Sequence, residues 1–255
     1  MSKSSYLQLD NRLKLCADFV RNGAKLADIG TDHAYLPVCL CRIGRCPSAI
    51  AADINPAPLS RGRLTVENAE MQDKVELRLS NGLQEIKADE VDDIVIAGMG
   101  GELIAKILEE CSFSKDSSKH FILQPMTKSE VLIKWLCDNG FEIMEQDCCT
   151  VSKKRCDTVH GSSRQPDIIE SSFTDRFEAT AHKATRCYTV LSVKYTGEII
   201  ARDELFYYLA KLKPNEKESH LLFVKSHINR LLKQAKGDVS FAVLAEKLQK
   251  SIKAR

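Results

Sequence analysis

Short apolar, β-branched runs alternate with longer helical patterns through the first three-quarters of the chain, and that alternation limits the fold more than any other feature. Strands are expected at residues 25–29, 49–52, 75–79, 94–97, 121–123, 141–145 and 188–193, with helices at 36–43, 59–69, 101–111 and 128–139 between the early ones. Such βαβ alternation implies a parallel sheet with helices on both faces, because each crossover must pack back onto the sheet. The run Ile94-Val95-Ile96-Ala97 is continuously apolar, as a central strand buried on both sides requires. Residues 1–20 read as a leading helix, with Leu9, Leu13, Cys16, Ala17 and Val20 at near-helical spacing.

Toward the C-terminus the pattern changes twice. Residues 152–185 are polar and carry Gly161, Ser162, Ser163 and Pro166, which reads as an inserted lobe or a long loop. After Gly197 the pattern is wholly helical. Leu221, Val224, Ile228, Leu231 and Leu232 form one stripe; Phe241, Leu244, Leu248 and Ile252 form another, with Gly237-Asp238 as stop and cap between them. Two antiparallel helices packed stripe to stripe, preceded by a helix at 203–213, are expected, with the lysines outward.

Charge is split between the two parts. Residues 200–255 hold 12 Lys and Arg against 6 Asp and Glu, whereas the preceding residues hold 25 against 29. A near-neutral body with a basic tail suits a polyanionic partner, although a solvated helical face gives the same bias. A 255-residue chain with 44% hydrophobic residues can build one large α/β domain plus a small appendage. No basic head followed by an apolar run opens the sequence, and no apolar stretch reaches membrane length. A cytoplasmic monomer is expected. The ten cysteines include no C-x-x-C pair, so they read as reduced thiols serving as small hydrophobes, with no metal site.

The chemistry should lie at the carboxyl edge of the sheet, where doubly wound folds bind ligands. The first strand ends Asp28-Ile29-Gly30 and continues Thr31-Asp32-His33-Ala34-Tyr35-Leu36-Pro37. Gly30 permits close approach of backbone to a ligand. The second strand runs into Asp53, where an acid can hold both hydroxyls of a ribose, and the third is followed by Ser80-Asn81-Gly82, whose amide can read an adenine edge. A dinucleotide would call for G-x-G-x-x-G at the first turn so that helix-terminal amides cradle its pyrophosphate. Gly30 instead stands alone with Asp32 close by, which repels phosphate and tolerates a cation. S-adenosylmethionine, with a sulfonium, an ammonium and no phosphate, fits these acids. After the fourth strand, Gly98-Met99-Gly100-Gly101 forms either a tight strand-to-helix turn or a flank of the reacting site, leaving room for a planar base and offering backbone amides.

Asp28-Ile29-Gly30-Thr31-Asp32-His33-Ala34-Tyr35-Leu36-Pro37, together with Ile96-Ala97-Gly98-Met99-Gly100-Gly101 and Ile122-Leu123-Gln124-Pro125, closely resembles the bacterial tRNA (adenine-22-N1)-methyltransferases. Arg12-Leu13 is similar to that family's N-terminal helix. The resemblance covers most of residues 7–150, resumes at 187–194 and continues loosely through the tail. It implies a Rossmann-like class I methyltransferase domain followed by a coiled-coil-like helical domain, here placed at 1–196 and at 197–255 as a tRNA-binding part, with 152–185 as a candidate insertion in the first. It also implies methylation of N1 of an adenosine in the tRNA D-arm. Carried over by position, Asp28, Gly30, Asp53, Asn81 and Gly98 would hold the cofactor, and Thr31, His33, Ile54, Gly82, Met99 and Gly100 on the same loops are further cofactor-binding candidates. Arg12, Asp32 and Tyr35 would face the catalytic pocket. Asn81 stands where many relatives carry Asp, and residues 152–185 are longer than the family's link.

Adenine N1 has an in-plane lone pair, so alignment matters more than a strong base. Asp32 would accept from the exocyclic amine and balance the positive charge of the methylated base. Arg12 would hold a phosphate or orient Asp32, and Tyr35 would stack on the flipped base or pack its own helix. His33 reads as a hydrogen-bonded structural residue. Helix capping is the plain alternative for Asp28 and Asp32, and a surface position for Arg12. Two other functions share these features: a small-molecule methyltransferase, which would not need the helical tail, and a non-catalytic RNA-binding relative, which would not consume cofactor.

Overall fold

The computed structural model describes residues 9–152 and 185–253. Most of the expected insertion and the first eight residues of the expected leading helix therefore lie outside the described residues. Seven strands form: β1 (Leu26–Ile29), β2 (Ala49–Asp53), β3 (Val75–Leu79), β4 (Asp93–Gly100), β5 (His120–Thr127), β6 (Phe141–Ser152) and β7 (Thr185–Tyr195). Their order is β3-β2-β1-β4-β5-β7-β6. The first five strands in that order are parallel, and β7 runs antiparallel to both β5 and β6. The expected Rossmann-like arrangement is thus present, with its switch of direction between β1 and β4.

The helices are α1 (Asn11–Phe19), α2 (Tyr35–Arg42), α3 (Pro56–Asn68), α4 (Gly101–Glu110), α5 (Ser129–Asp138), α6 (Glu204–Leu209), α7 (Glu218–Gln234) and α8 (Ser240–Lys253). One expectation needs correction at the start. The leading helix does not run on from residue 9, because Asp10 caps it: its Oδ1 accepts the Leu13 N–H at 2.8 Å and its backbone is extended. Alternate residues of β4 feed opposite layers, as strand pleating requires. Ile94 and Ile96 pack toward Ile104, Leu108, Leu132 and Leu136 of α4 and α5. Val95 packs toward Cys16, Val20, Leu36 and Leu40 on the α1–α2 side.

The tail helices build a third core from Tyr208, Phe223, Val224, Ile228, Leu231, Leu244, Ala245 and Leu248, closed against Cys148 of β6. Phe223 and His227 join the buried stripe of α7, whereas Leu232, expected there, faces out. Polar contacts seat these helices on the sheet. His220 Nδ1 accepts from the Lys213 N–H, which leaves Nε2 to share its proton with Asp147 Oδ1 at 2.8 Å. Lys217 reaches the other Asp147 oxygen at 2.7 Å, and Gln146 Oε1 accepts the Lys211 N–H.

At the amino edge, Asp93, His120 and Ser192 form a buried chain: His120 Nδ1 lies 3.2 Å from Asp93 and Nε2 lies 2.7 Å from Ser192 Oγ. The residue types match a nucleophile relay, but the chain is buried at the end of the sheet away from the ligand edge. Burial by itself would raise the Asp93 pKa; hydrogen bonds from His120 and Arg21 hold it below the usual carboxylate range. The stability this carboxylate contributes is present above about pH 4 and is lost as pH falls through its lowered value. Asp93→Ala strands Arg21 and His120 without their partner, so denaturant titration at neutral pH should show a loss of about 3–5 kcal/mol.

All nine described cysteines are free. Burial pushes Cys41 up to about 11 and Cys46 up to about 12, which keeps both thiols protonated and unreactive. Among the described residues, no group of three or more His, Cys, Asp or Glu is placed to hold a metal, and no helix is long and apolar enough to cross a membrane.

Candidate active site

A cleft of roughly 860 Å³ opens where β1 and β4 end, walled on one side by the start of α1. It brings together Arg12, Asp28, Gly30, Thr31, Asp32, His33, Tyr35 and Gly98, together with Asp10, which the sequence reading did not include. Asp53, Ile54, Asn81, Gly82, Met99 and Gly100 do not line this cleft; Asp53, Met99 and Gly100 end β2 and β4, and Ile54, Asn81 and Gly82 lie on the loops after β2 and β3.

The loop after β1 takes its shape from two residues. Gly30 has φ +77°, a left-handed conformation that favours glycine, and a Cβ there would overlap the Met99 Cε. Thr31 is buried, and its hydroxyl accepts the Ala34 N–H at 3.1 Å, which turns the chain into α2. The N-cap of α2 is Ala34, with no side-chain cap, so neither Asp28 nor Asp32 is spent on capping that helix. Asp28 is 7% exposed. Burial pushes its carboxyl up to about 6, against the opposing pull of the Thr31 hydroxyl and the Arg12 charge.

Asp32 stands at the mouth of the cleft. Arg61 of α3 holds it, with Nε at 3.1 Å and Nη2 closer still on the same oxygen. His33 Nε2 approaches the other oxygen at 3.4 Å. This corrects the expectation that Arg12 orients Asp32. Arg12 instead donates to Gln124 Oε1 at 2.9 Å and lies 3.7 Å from Asp10. Tyr35 is 39% exposed, and the His33 ring stacks on one of its faces, centroids 4.9 Å apart and nearly parallel at 6°. Tyr35 therefore presents a supported aromatic ledge rather than a residue packed within its own helix.

At the end of β2, Asp53 Oδ1 accepts the Asn55 N–H at 2.7 Å, which fixes the carboxylate. The Ser80 N–H donates to the Asp53 carbonyl and ties the third loop to the second. Asn81 and Ile54 are exposed beside it, whereas Gly82, at φ +59°, packs its backbone against Ile107 of α4. Gly98, at φ +86°, sits at a register shift in the β4–β5 ladder. Its N–H donates to Gln124 Oε1 at 3.1 Å, so that amide is not offered to a ligand as expected. Gly100 is the N-cap of α4, and a Cβ on Gly101 would run into the Lys128 carbonyl, so both glycines serve the tight turn.

Sequence reasoning missed Arg61 and the part played by Gln124. Arg61 carries no local signal, because only the packing of α3 beside α2 brings it to Asp32. Gln124 was visible as a polar residue closing an apolar strand, but its partners lie 26 and 112 residues away.

Fold and site together define a Rossmann-like domain with an acid-lined ligand cleft at its switch point. The chain belongs to the methyltransferase-domain family, which matches residues 9–156. A tRNA (adenine(22)-N(1))-methyltransferase from Bacillus subtilis (strain 168) is 36% identical over 140 residues, a match spanning 55% of this chain and 59% of that protein. A candidate tRNA (m1A22) methyltransferase from Streptococcus pneumoniae, solved in complex with S-adenosyl-L-methionine, is 28% identical with a TM-score of 0.73, over 96% of this chain and all of the other. A NADB-Rossmann superfamily protein from Streptococcus agalactiae matches at 28% identity and a TM-score of 0.74, covering 98% of both chains.

Proposed function

We propose that this protein transfers a methyl group from S-adenosyl-L-methionine to N1 of adenosine 22 in tRNA. The observation that carries the proposal is the cleft's make-up: Asp10, Asp28 and Asp32 line it against one arginine, and its first turn lacks the glycine-rich amides that cradle a pyrophosphate. Such a site favours an adenosyl ligand that is cationic and free of phosphate. The Bacillus and pneumococcal relatives support the same reading.

The residues fit that ligand. Gly30, with its left-handed backbone, lets Met99 pack against the first loop without a clash, and Asp28 is a buried carboxyl whose ionised form a cation would stabilise. Thr31 and His33 complete the first loop. Asp53 and Ile54 would take the ribose and one adenine face, Asn81 and Gly82 the adenine edge, and Gly98, Met99 and Gly100 the methionine side. When bound, the cofactor supplies an electrophilic methyl: the N1–methyl bond forms as the sulfur–methyl bond breaks, and the base is left with a positive charge. Asp32, held in place by Arg61, accepts from the exocyclic amine and balances that charge. Tyr35, backed by His33, stacks on the base, which must leave its helical stack to expose N1. Arg12 braces the wall of the cleft near Gly98.

Residues 1–196 act in this reading as the catalytic body of a cytoplasmic monomer, and residues 197–255 as its tRNA-binding part. Lys225, Lys233, Lys236, Lys247 and Lys250 face outward from the tail helices and suit a phosphate backbone. The test is to incubate the protein with unmodified tRNA and methyl-labelled cofactor, then map the label. 1-Methyladenosine at position 22 is expected, with a KM for tRNA that rises steeply with salt. Label at another nucleotide, or in no nucleotide, contradicts the proposal.

A further inference from the structure

Gln124 ends a run of three completely buried apolar residues, Phe121, Ile122 and Leu123, and is itself completely buried. A methionine or leucine would fill that volume without burying an amide, so the polar group calls for a reason. Its carbonyl oxygen accepts two hydrogen bonds, from Arg12 Nη1 at 2.9 Å and from the Gly98 N–H at 3.1 Å. Its amide nitrogen donates to the Pro125 carbonyl at 3.0 Å. That last bond fixes the orientation of the amide. Flipped, it would aim N–H groups at two donors and an oxygen at a carbonyl.

The two donors come from different elements. Arg12 lies on α1, and Gly98 near the carboxyl end of β4, at the register shift in its ladder with β5. They face each other in the cleft, where the place a Cβ of Gly98 would occupy is 3.4 Å from Arg12 Nη1. One carbonyl oxygen therefore joins two walls of the cleft that share no covalent neighbourhood. We propose that Gln124 is a positioning residue for methyl transfer: it locks Arg12 and the Gly98 backbone into a single wall that sets where the acceptor base lies against the methyl group. The inference rests on the methyltransferase reading above. It assigns Gln124 no contact with substrate; the residue acts through Arg12 and Gly98.

Gln124→Met keeps the side chain's length and removes the acceptor. Because small misplacements of reacting groups are costly, kcat should fall about 100-fold while the Kd for S-adenosylmethionine, measured by calorimetry, stays within about threefold. A residue that served stability alone would lower Tm and leave kcat per folded molecule unchanged. In an Arg12→Met background, adding Gln124→Met should lower kcat by less than about threefold, since either substitution alone already breaks the bridge between Arg12 and Gly98. Gln124→Glu retains an acceptor for both donors and, protonated, a donor for the Pro125 carbonyl; it should keep kcat within about tenfold of wild type and carries the test if the methionine variant does not fold. Wild-type kcat in Gln124→Met, losses that multiply in the double variant, or a Gln124→Glu enzyme as slow as Gln124→Met would each overturn the inference. Wild-type protein assayed alongside separates the two failures. If it methylates no tRNA, the proposed function falls; if it is active and indifferent to Gln124, this inference alone falls.

Discussion

Asp28→Asn raises the thermal midpoint at neutral pH and, in the same variant, weakens S-adenosylmethionine binding roughly 10- to 100-fold. Both effects follow from one buried carboxyl. Its folded pKa, about 6, stands above its ordinary value of 3.8, so folding disfavours the charged form by ~3 kcal/mol. The sign of the pH dependence is fixed by that order. Below about pH 4 both folded and unfolded chains hold the proton and the group costs nothing. Between pH 4 and 6 the unfolded chain releases the proton first, and stability falls; above 6 the full cost remains. Asparagine removes it, so the variant should melt roughly 5–10 °C higher than wild type at pH 8 and match it at pH 4. A bound cation favours the carboxylate, so wild-type affinity should weaken as pH drops below 6, and the variant's should not. Calorimetry and thermal melts across pH 4–8 check both. A variant no more stable than wild type would show that the buried charge is not a folding cost. One that binds as tightly would remove Asp28 from the cofactor's partners.

Asp32→Ala separates chemistry from binding. Asp32 is 63% exposed at the mouth of the cleft, so removing it costs little stability. Methyl transfer to tRNA should fall about 100- to 1,000-fold, the scale of losing one preorganised group aimed at developing charge. Affinity for S-adenosylmethionine should change by less than about threefold, because the proposed role of Asp32 is toward the acceptor base and not the cofactor. Arg61→Ala provides the companion measurement. It frees the carboxylate without deleting it, so an intermediate loss in kcat is expected. Wild-type turnover in Asp32→Ala would refute its assigned role.

The parallel core was legible because its signals are local. In β2 and β4 an unbroken apolar run permits few alternatives, and Ile94 to Ala97 identified the central strand directly. The outer hairpin was less so. β6 was expected to stop at residue 145 but runs to Ser152, past a register shift near Met144. Its second half contains Gln146 and Asp147, polar residues that read as loop until the tail helices supply Lys211, Lys217 and His220 as partners. Their place in a strand depends on tertiary contacts that no sequence window contains. The tail helix at 203–213 similarly stops at Leu209, where Ala210 adopts a positive φ.

The site divides the same way. Asp28, Gly30, Thr31 and Asp32 were readable because a single turn after a recognisable strand holds them together. What orients them was not. Asp32 was matched with Arg12, the arginine that the family resemblance supplied, yet its partner is Arg61, brought close by α3 packing next to α2. The glycines at the end of β4 were credited with free amides, but Gly98 had already committed its N–H to Gln124. Residue types mark the chemistry of this cleft; packing decides which groups remain available to perform it.

The most direct measurement titrates the purified protein with S-adenosylmethionine and, separately, with NAD at neutral pH. A cleft lined with acids and without a pyrophosphate cradle predicts one saturable site for the sulfonium compound and no measurable uptake of the dinucleotide. Tight NAD binding, with S-adenosylmethionine unable to compete for the site, would contradict it.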